Sequence, residues 1–171
     1  VGTNALQNCT TGSSNTAVGN SAMDQLTTGG TNVSLGMNTL AALTTVSNCT
    51  AIGYNAIGTG VTTGEMNVAM GVSSLAALTS GNCNVAIGRS ALGGGAVTGH
   101  SNVAMGNSTM DALTSGGDNI AIGRNTLGAA TNNNDNVAIG RAALATTDGD
   151  GDDNIAIGNT AMGGGDVSGD S

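Results

Sequence analysis

Apolar residues recur along this chain on a short, nearly fixed period. The segment Asn-Val-Ala-Ile-Gly, or a near variant, returns again and again. Its closing glycines are Gly2, Gly19, Gly36, Gly53, Gly71, Gly88, Gly106, Gly123, Gly140 and Gly158, spaced by 17 or 18 residues. Just before the glycine stand Val18, Leu35, Ile52, Met70, Ile87, Met105, Ile122, Ile139 and Ile157. Two positions further back stand Thr16, Val33, Thr50, Val68, Val85, Val103, Ile120, Val137 and Ile155. Between these columns lies a small residue, Ala in every copy but Ser34. Alternation with period two predicts a short strand. The larger aliphatics are expected to face the interior. The Ala column is expected to face outward, where a second chain could pack closely against it.

Four residues after each glycine comes another apolar column: Leu6, Met23, Leu40, Ile57, Leu75, Leu92, Met110, Leu127, Leu144 and Met162. It predicts a second strand or a turn facing the same interior. The glycine between the two permits a sharp corner, because without a Cβ it reaches positive φ. The rest of each coil is loop, rich in Gly, Thr, Ser and Asn. One coil cannot bury its apolar face alone, but stacked coils cover one another. The expectation is an all-β fold, a parallel β-solenoid (β-roll) of 17–18-residue coils. Residues 1–171 form a single repetitive segment of ten copies. At the spacing of stacked strands, ten coils make a rod on the order of 45–50 Å long. Coils from Gly36, Gly71 and Gly106 carry Leu-Thr-Thr or Leu-Thr-Ser, and those from Gly53 and Gly88 do not. The unit there is a pair of coils of 35 residues.

Composition supports order without a conventional core. There are 30 glycines, no proline, and Tyr54 is the sole aromatic residue. Charged residues make up 8%, against about 25% in ordinary soluble domains. Low charge density with periodic aliphatics argues against disorder. The net charge of −8 argues against nucleic acid, which needs clustered Lys and Arg. No apolar run is long enough to span a membrane. No signal peptide is recognisable at the start. The chain opens inside a repeat, so it is expected to be a piece of a longer protein.

Polar columns accompany the aliphatic ones. Four residues before the glycine stand Asn15, Asn32, Asn67, Asn84, Asn102, Asn119, Asn136 and Asn154, with Cys49 interrupting once. Stacked Asn side chains can hydrogen-bond along the rod and satisfy turn backbone groups. A structural ladder is the expected role, and ligand binding is the alternative. One position earlier stand Asp118, Asp135 and Asp153. Like charges about 5 Å apart repel, so solvent or a cation must offset them. The loop containing Asp148, Asp150, Asp152 and Asp153 resembles the first half of a calcium loop, without the usual glycine or the bidentate Glu. It is either a candidate calcium site or a solvated acidic loop. No other cofactor is expected. Arg89, Arg124 and Arg141, the only basic residues besides His100, each follow the motif glycine. Pairing with an acid of a neighbouring coil or chain is their expected role, with polyanion binding the weaker alternative.

Cys9, Cys49 and Cys83 are an odd number of thiols. They read as small buried or half-buried residues, with an interchain disulfide as the alternative. No CxxC or His/Cys cluster supports zinc. Catalysis is not expected. His100 lies alone in a Gly-rich loop, no nucleophile elbow has a partner, and the acidic loop has almost no aromatic surface on which to hold a sugar. No strand column is uniformly Thr, as an ice-binding array would need.

The segments Asn84 to Leu92 (NVAIGRSAL) and Asn119 to Leu127 (NIAIGRNTL) resemble the head repeats of trimeric autotransporter adhesins. They are similar also to repeats in bacteriophage tail fibres. The resemblance covers essentially the whole chain, although the adhesin coils are shorter. It implies a β-roll in which three chains pack into one trunk, so the expected partner is the chain itself, as a homotrimer. It further implies a structural or adhesive segment of a virion or cell-surface fibre. A receptor would be bound by another part of the protein. Three cysteines suit a fibre assembled in a reducing cytoplasm better than an exported adhesin. The tail fibre is therefore the first reading and the bacterial adhesin the second.

Overall fold

The computed structural model describes residues 1–60, 63–146 and 151–164. Its regular structure is nine three-residue strands, and no helix occurs among the described residues. They are β1 (Thr16–Val18), β2 (Val33–Leu35), β3 (Thr50–Ile52), β4 (Val68–Met70), β5 (Val85–Ile87), β6 (Val103–Met105), β7 (Ile120–Ile122), β8 (Val137–Ile139) and β9 (Ile155–Ile157). All lie in one parallel sheet in sequence order. Each column pairs with itself: Val85 with Val103, Ala86 with Ala104, Ile87 with Met105. The fold is therefore the expected parallel β-solenoid, one strand per coil.

The strands face the opposite way to the expectation. Ala51, Ala69, Ala86, Ala104, Ala121 and Ala138 are completely buried. The residues on either side of them point out and are half-buried or exposed, reaching 47% at Leu35 and 70% at Ile155. The Ala column is thus the inner one. The reason is space. The interior is already filled by the column after the glycine, with Met23, Leu40, Ile57, Leu75, Leu92 and Met110 fully buried. Leu26, Leu43, Leu78 and Leu113 fill a second row. Opposite these side chains a strand residue has room only for a methyl group. Ser34, the exception in the column, is buried beside the hydroxyl of Thr39 and donates to the Thr39 carbonyl at 3.2 Å.

The Leu/Met column is a turn rather than a second strand. Its residues take left-handed φ, 51° at Leu40, 47° at Ile57 and 47° at Leu75. So do the residues two before them, such as Asn38, Ser73 and Ser90. A left-handed L-residue costs roughly 1–2 kcal/mol. Full burial of a Leu side chain returns about 1.5–3 kcal/mol, so burial wins at this column. The motif glycine answers to a harder constraint. A Cβ on Gly36 would stand 2.0 Å from the carbonyl oxygen of Gly53 in the next coil, so neighbouring corners nest too closely for any side chain.

Where a coil lacks the Leu of the second row, another group takes its place. Val97 is fully buried and bridges in parallel to Leu78 of the coil before it. The alternation of coil types is thus a packing alternation inside the rod.

Candidate functional site

The Asn column lies just inside the strand entrance. Asn32, Asn67, Asn84, Asn102, Asn119, Asn136 and Asn154 are buried and Asn15 is half-buried. Each side-chain carbonyl accepts from the next Asn. Asn84 Oδ1 takes the Asn102 backbone N–H at 3.0 Å and its Nδ2 at 3.1 Å. Each Nδ2 also donates to a loop carbonyl, as Asn84 does to Gly99 and Asn102 to Gly116, both at 2.9 Å. Where Cys49 interrupts the column, its backbone N–H still donates to Asn32 Oδ1 at 2.9 Å. Its thiol donates to the carbonyl of Gly64 at 3.7 Å, imitating the amide weakly. Burial pushes the Cys49 thiol above its ordinary pKa, partly offset by hydrogen bonds from Asn67.

A second polar column escaped the sequence reading because its residue types differ from coil to coil. Ser47 Oγ, Asn82 Oδ1, His100 Nδ1, Asn134 Oδ1 and Asp152 Oδ1 each accept the backbone N–H of the equivalent residue one coil earlier. His100 therefore caps Asn82 at 3.1 Å. Asp152 caps Asn134 at 2.6 Å, so this member of the candidate calcium loop is engaged within the fold. Asp153 is exposed. Asp148 and Asp150 lie outside the described residues. Among the described residues, no group of three His, Cys, Asp or Glu side chains is placed to hold a metal ion.

One buried group is left without a partner. Asn133 occupies a column held by Gly99, Gly116 and Gly151 in neighbouring coils. Its Nδ2 donates to Gly151 O at 3.0 Å, and among the described residues its buried Oδ1 accepts nothing. It takes the carbonyl that the ladder pattern assigns to Asn136, whose Nδ2 turns to Asn134 O at 2.8 Å.

Asp118, Asp135 and Asp153 stand at left-handed φ of 58°, 56° and 58°, immediately before the Asn ladder. Asp and Asn tolerate this conformation better than most residues, which gives the column a backbone reason as well as a charge. All three are exposed, as are Arg89, Arg124 and Arg141. The two charge columns lie on opposite margins of the outward strand face, acids before the strand and arginines after it. Among the described residues no ion pair joins them within the chain; Arg141 Nε instead donates to Asn159 Oδ1 at 3.0 Å. Toward the other end of the rod the arginine column becomes apolar: Met37, Tyr54 and Val72 are exposed there. Met66, on the acidic margin's column in the same coil as Val72, is exposed too.

An open groove of about 360 Å³ is lined by Ser108, Asp111, Asn125, Gly128, Ala129, Ala142 and Ala145. It forms where Gly128 follows Asp111 in its column and leaves the acid uncovered. Burial raises the carboxyl pKa of Asp111. The three cysteines are free; Cys49 is buried and Cys9 half-buried, whereas Cys83 is exposed, contrary to the expectation of three sheltered thiols.

The outward strand face runs along the rod as a continuous surface. Nine rungs carry two columns along the rod, aliphatic except at Thr16 and Thr50. At the rise and spacing of parallel strands the face measures about 40 Å by 10 Å, an extent comparable to the largest patches that monomers expose. No family model, no curated protein and no solved structure matches the chain.

Proposed function

We propose that this chain is a rigid structural segment of a homotrimeric fibre, with the outward aliphatic face of each chain packed against the other two. The observation that carries the reading is the pair of outward columns, mostly Val, Ile and Met and half-buried or exposed, that recurs on every strand from β1 to β9. A partner covering them must present apolar groups at the same spacing over the same number of rungs. Another copy of this repeat does so by construction, and an unrelated globular surface does not. Packing the three faces around one axis removes these columns from water, which is the main driving force for association. The resemblance of the repeats to those of trimeric fibres supports the number three.

In this reading the chain supplies length and stiffness. Its polar interior columns are spent on holding coils together, and it performs no catalysis. A bacteriophage tail fibre used in host attachment is the first choice of context, with the receptor bound elsewhere in the protein. The three free thiols favour it, since fibres assembled in a reducing compartment keep such groups. Light scattering tests the assembly: the expected mass is three times the 16.2 kDa of the chain. A monomer at micromolar concentration overturns the reading. The remainder of the gene tests the context: virion-assembly neighbours support the phage fibre, and a C-terminal outer-membrane anchor supports the bacterial adhesin.

A further inference from the structure

We propose that the groove beside Asp111 binds a primary ammonium group on a short aliphatic stem, as at the end of a lysine side chain or in a free alkylamine. The groove belongs to the turns that follow the motif glycines and not to the strand face. The inference therefore goes beyond the assembly proposed above and does not depend on it.

Two departures from the repeat meet at this place. From Gly36 on, the residue five after the motif glycine alternates: Ala41, Gly58, Ala76, Gly93, Asp111, Gly128, Ala145 and Gly163. At three of these glycines the space beside the backbone is closed. A Cβ would stand 2.1 Å from Asn55 Oδ1 at Gly58, 2.5 Å from Ser73 O at Gly93 and 2.4 Å from Ala142 O at Gly163. At Gly128 the nearest atom is Asn125 O at 3.2 Å, and the next residue reached is Asp111, its Oδ1 at 3.8 Å. The coil is open there, and the side chain beside the opening is a carboxylate where Ala41, Ala76 and Ala145 carry a methyl group. The groove of about 360 Å³ is thus a property of this level of the rod and not of the repeat.

Its chemistry is selective. The lining offers three side-chain oxygens, from Asp111, Ser108 and Asn125. None of these side chains hydrogen-bonds to another residue among the described ones, and the Asp111 carboxylate meets only its own backbone N–H. Comparable polar groups elsewhere are engaged: Asp24, in the same column, accepts from Gln25 Nε2 at 3.3 Å, and Asp152 caps Asn134. Burial raises the Asp111 pKa, the mark of a carboxylate short of solvation that a cation can replace. Methyl groups of Ala129, Ala142 and Ala145 complete the lining. A primary ammonium brings three donors and no acceptor. Its stem can lie on methyl groups while the head stays among oxygens. A guanidinium holds its donors in one plane, which suits a single carboxylate better than oxygens from three side chains. The three basic side chains of the chain are all Arg, so the ammonium group comes from another molecule.

The test follows the alanine methyl signals of the full chain by NMR, at fixed ionic strength, during titration with n-butylammonium or with Nα-acetyl-lysine methylamide. Saturable shifts confined to Ala129, Ala142 and Ala145 are expected, with a millimolar dissociation constant, as fits a small ligand in an open site. n-Butanol, with the same stem and no charge, should give none. Asp111→Asn keeps the size of the side chain and should weaken binding about tenfold or more, the scale of one lost hydrogen bond to a charged group. Gly128→Ala keeps the carboxylate, narrows the groove and should weaken binding too. Asp24→Asn removes an equal charge from the same column and should leave binding unchanged. Binding of the lysine probe assigns the site to lysine side chains of a partner; binding of n-butylammonium alone assigns it to free amines. Shifts that are absent or spread over the alanines of the whole rod overturn the proposal. So does n-butanol binding as well as the amine, or an equal loss in Asp24→Asn and Asp111→Asn.

Discussion

The side-chain carbonyl of Asn102 accepts both the backbone N–H of Asn119, at 3.1 Å, and its side-chain amide, at 2.9 Å. One oxygen thus ties two consecutive coils together, and the Asn102 amide meanwhile holds Gly116 O. Asn102→Ala leaves one donor, the Asn119 N–H, and one acceptor, Gly116 O, buried without these partners, whereas the Asn119 side-chain amide keeps Gly117 O and Asn133 O. Each such group costs about 1–3 kcal/mol, so a loss of roughly 3 kcal/mol is expected in urea unfolding. Asn15→Ala, at a half-buried rung, should lose less. Equal losses at the two positions would mean that the ladder does not depend on burial.

The inverted strand gives a paired prediction. Ala121→Leu forces bulk into a filled interior and should destabilise the chain by about 1–3 kcal/mol or more. Ile122→Ser, one residue away, changes an outward position and should leave the coil's own hydrogen bonds intact while weakening association. Circular dichroism reads the first effect and sedimentation reads the second. If the serine variant unfolds the coil and the leucine variant does not, the strand faces the other way.

Ile57 is a β-branched residue held at φ 47° in a column otherwise dominated by Leu and Met. β-branched side chains are especially disfavoured in that region. Ile57→Leu keeps the volume and removes the branch. An increase in Tm is expected, corresponding to about 0.5–1 kcal/mol, within the left-handed penalty. A decrease would show that the shape of Ile57 matters more to packing than its backbone strain.

Asn133→Gly removes a buried oxygen that lacks a partner and restores the residue type of Gly116 and Gly151. It also frees Gly151 O for the amide of Asn136. Relief of about 1–3 kcal/mol exceeds the glycine penalty of about 0.5–1 kcal/mol, so thermal unfolding should move upward. A lower midpoint would assign the missing partner to an ordered water.

The thiols should separate kinetically. Cys83 is exposed, Cys9 half-buried and Cys49 buried, so alkylation of the folded chain should proceed in that order, with Cys49 modified on unfolding. The raised pKa of Cys49 also sets a sign for pH. The stability gained by keeping that thiol protonated is complete below its ordinary value of 9.0 and is lost as pH climbs through the higher folded-state value. Cys49→Ser should remove this alkaline loss. Denaturation curves between neutral and alkaline pH for the two proteins give the comparison.

What could be read in the sequence follows from these residues. The glycine corner and the Asn ladder were legible because each position demands one residue type in nearly every coil. The facing of Val103, Ala104 and Met105 was not. Alternation defines two faces, and the usual assignment of large residues to the inside assumes that a chain fills its own core. Here Leu75 and Leu92 fill it from the turn, at backbone angles that no glycine announces. The capping column of Asn82, His100, Asn134 and Asp152 was hidden for another reason. Its function is one acceptor atom at a fixed place, which several side chains provide equally well. The exposed Cys83 follows from its place on the strand margin, a feature that becomes visible once the facing is known.

Each strand touches only the strand before it and the strand after it. No contact between strands fixes how many there are. The fold is thus a ruler: removal of one 35-residue pair of coils should shorten the rod by about 10 Å and leave both flanking surfaces able to rejoin. Length becomes a quantity that recombination between repeats can adjust in steps, without any new packing problem to solve.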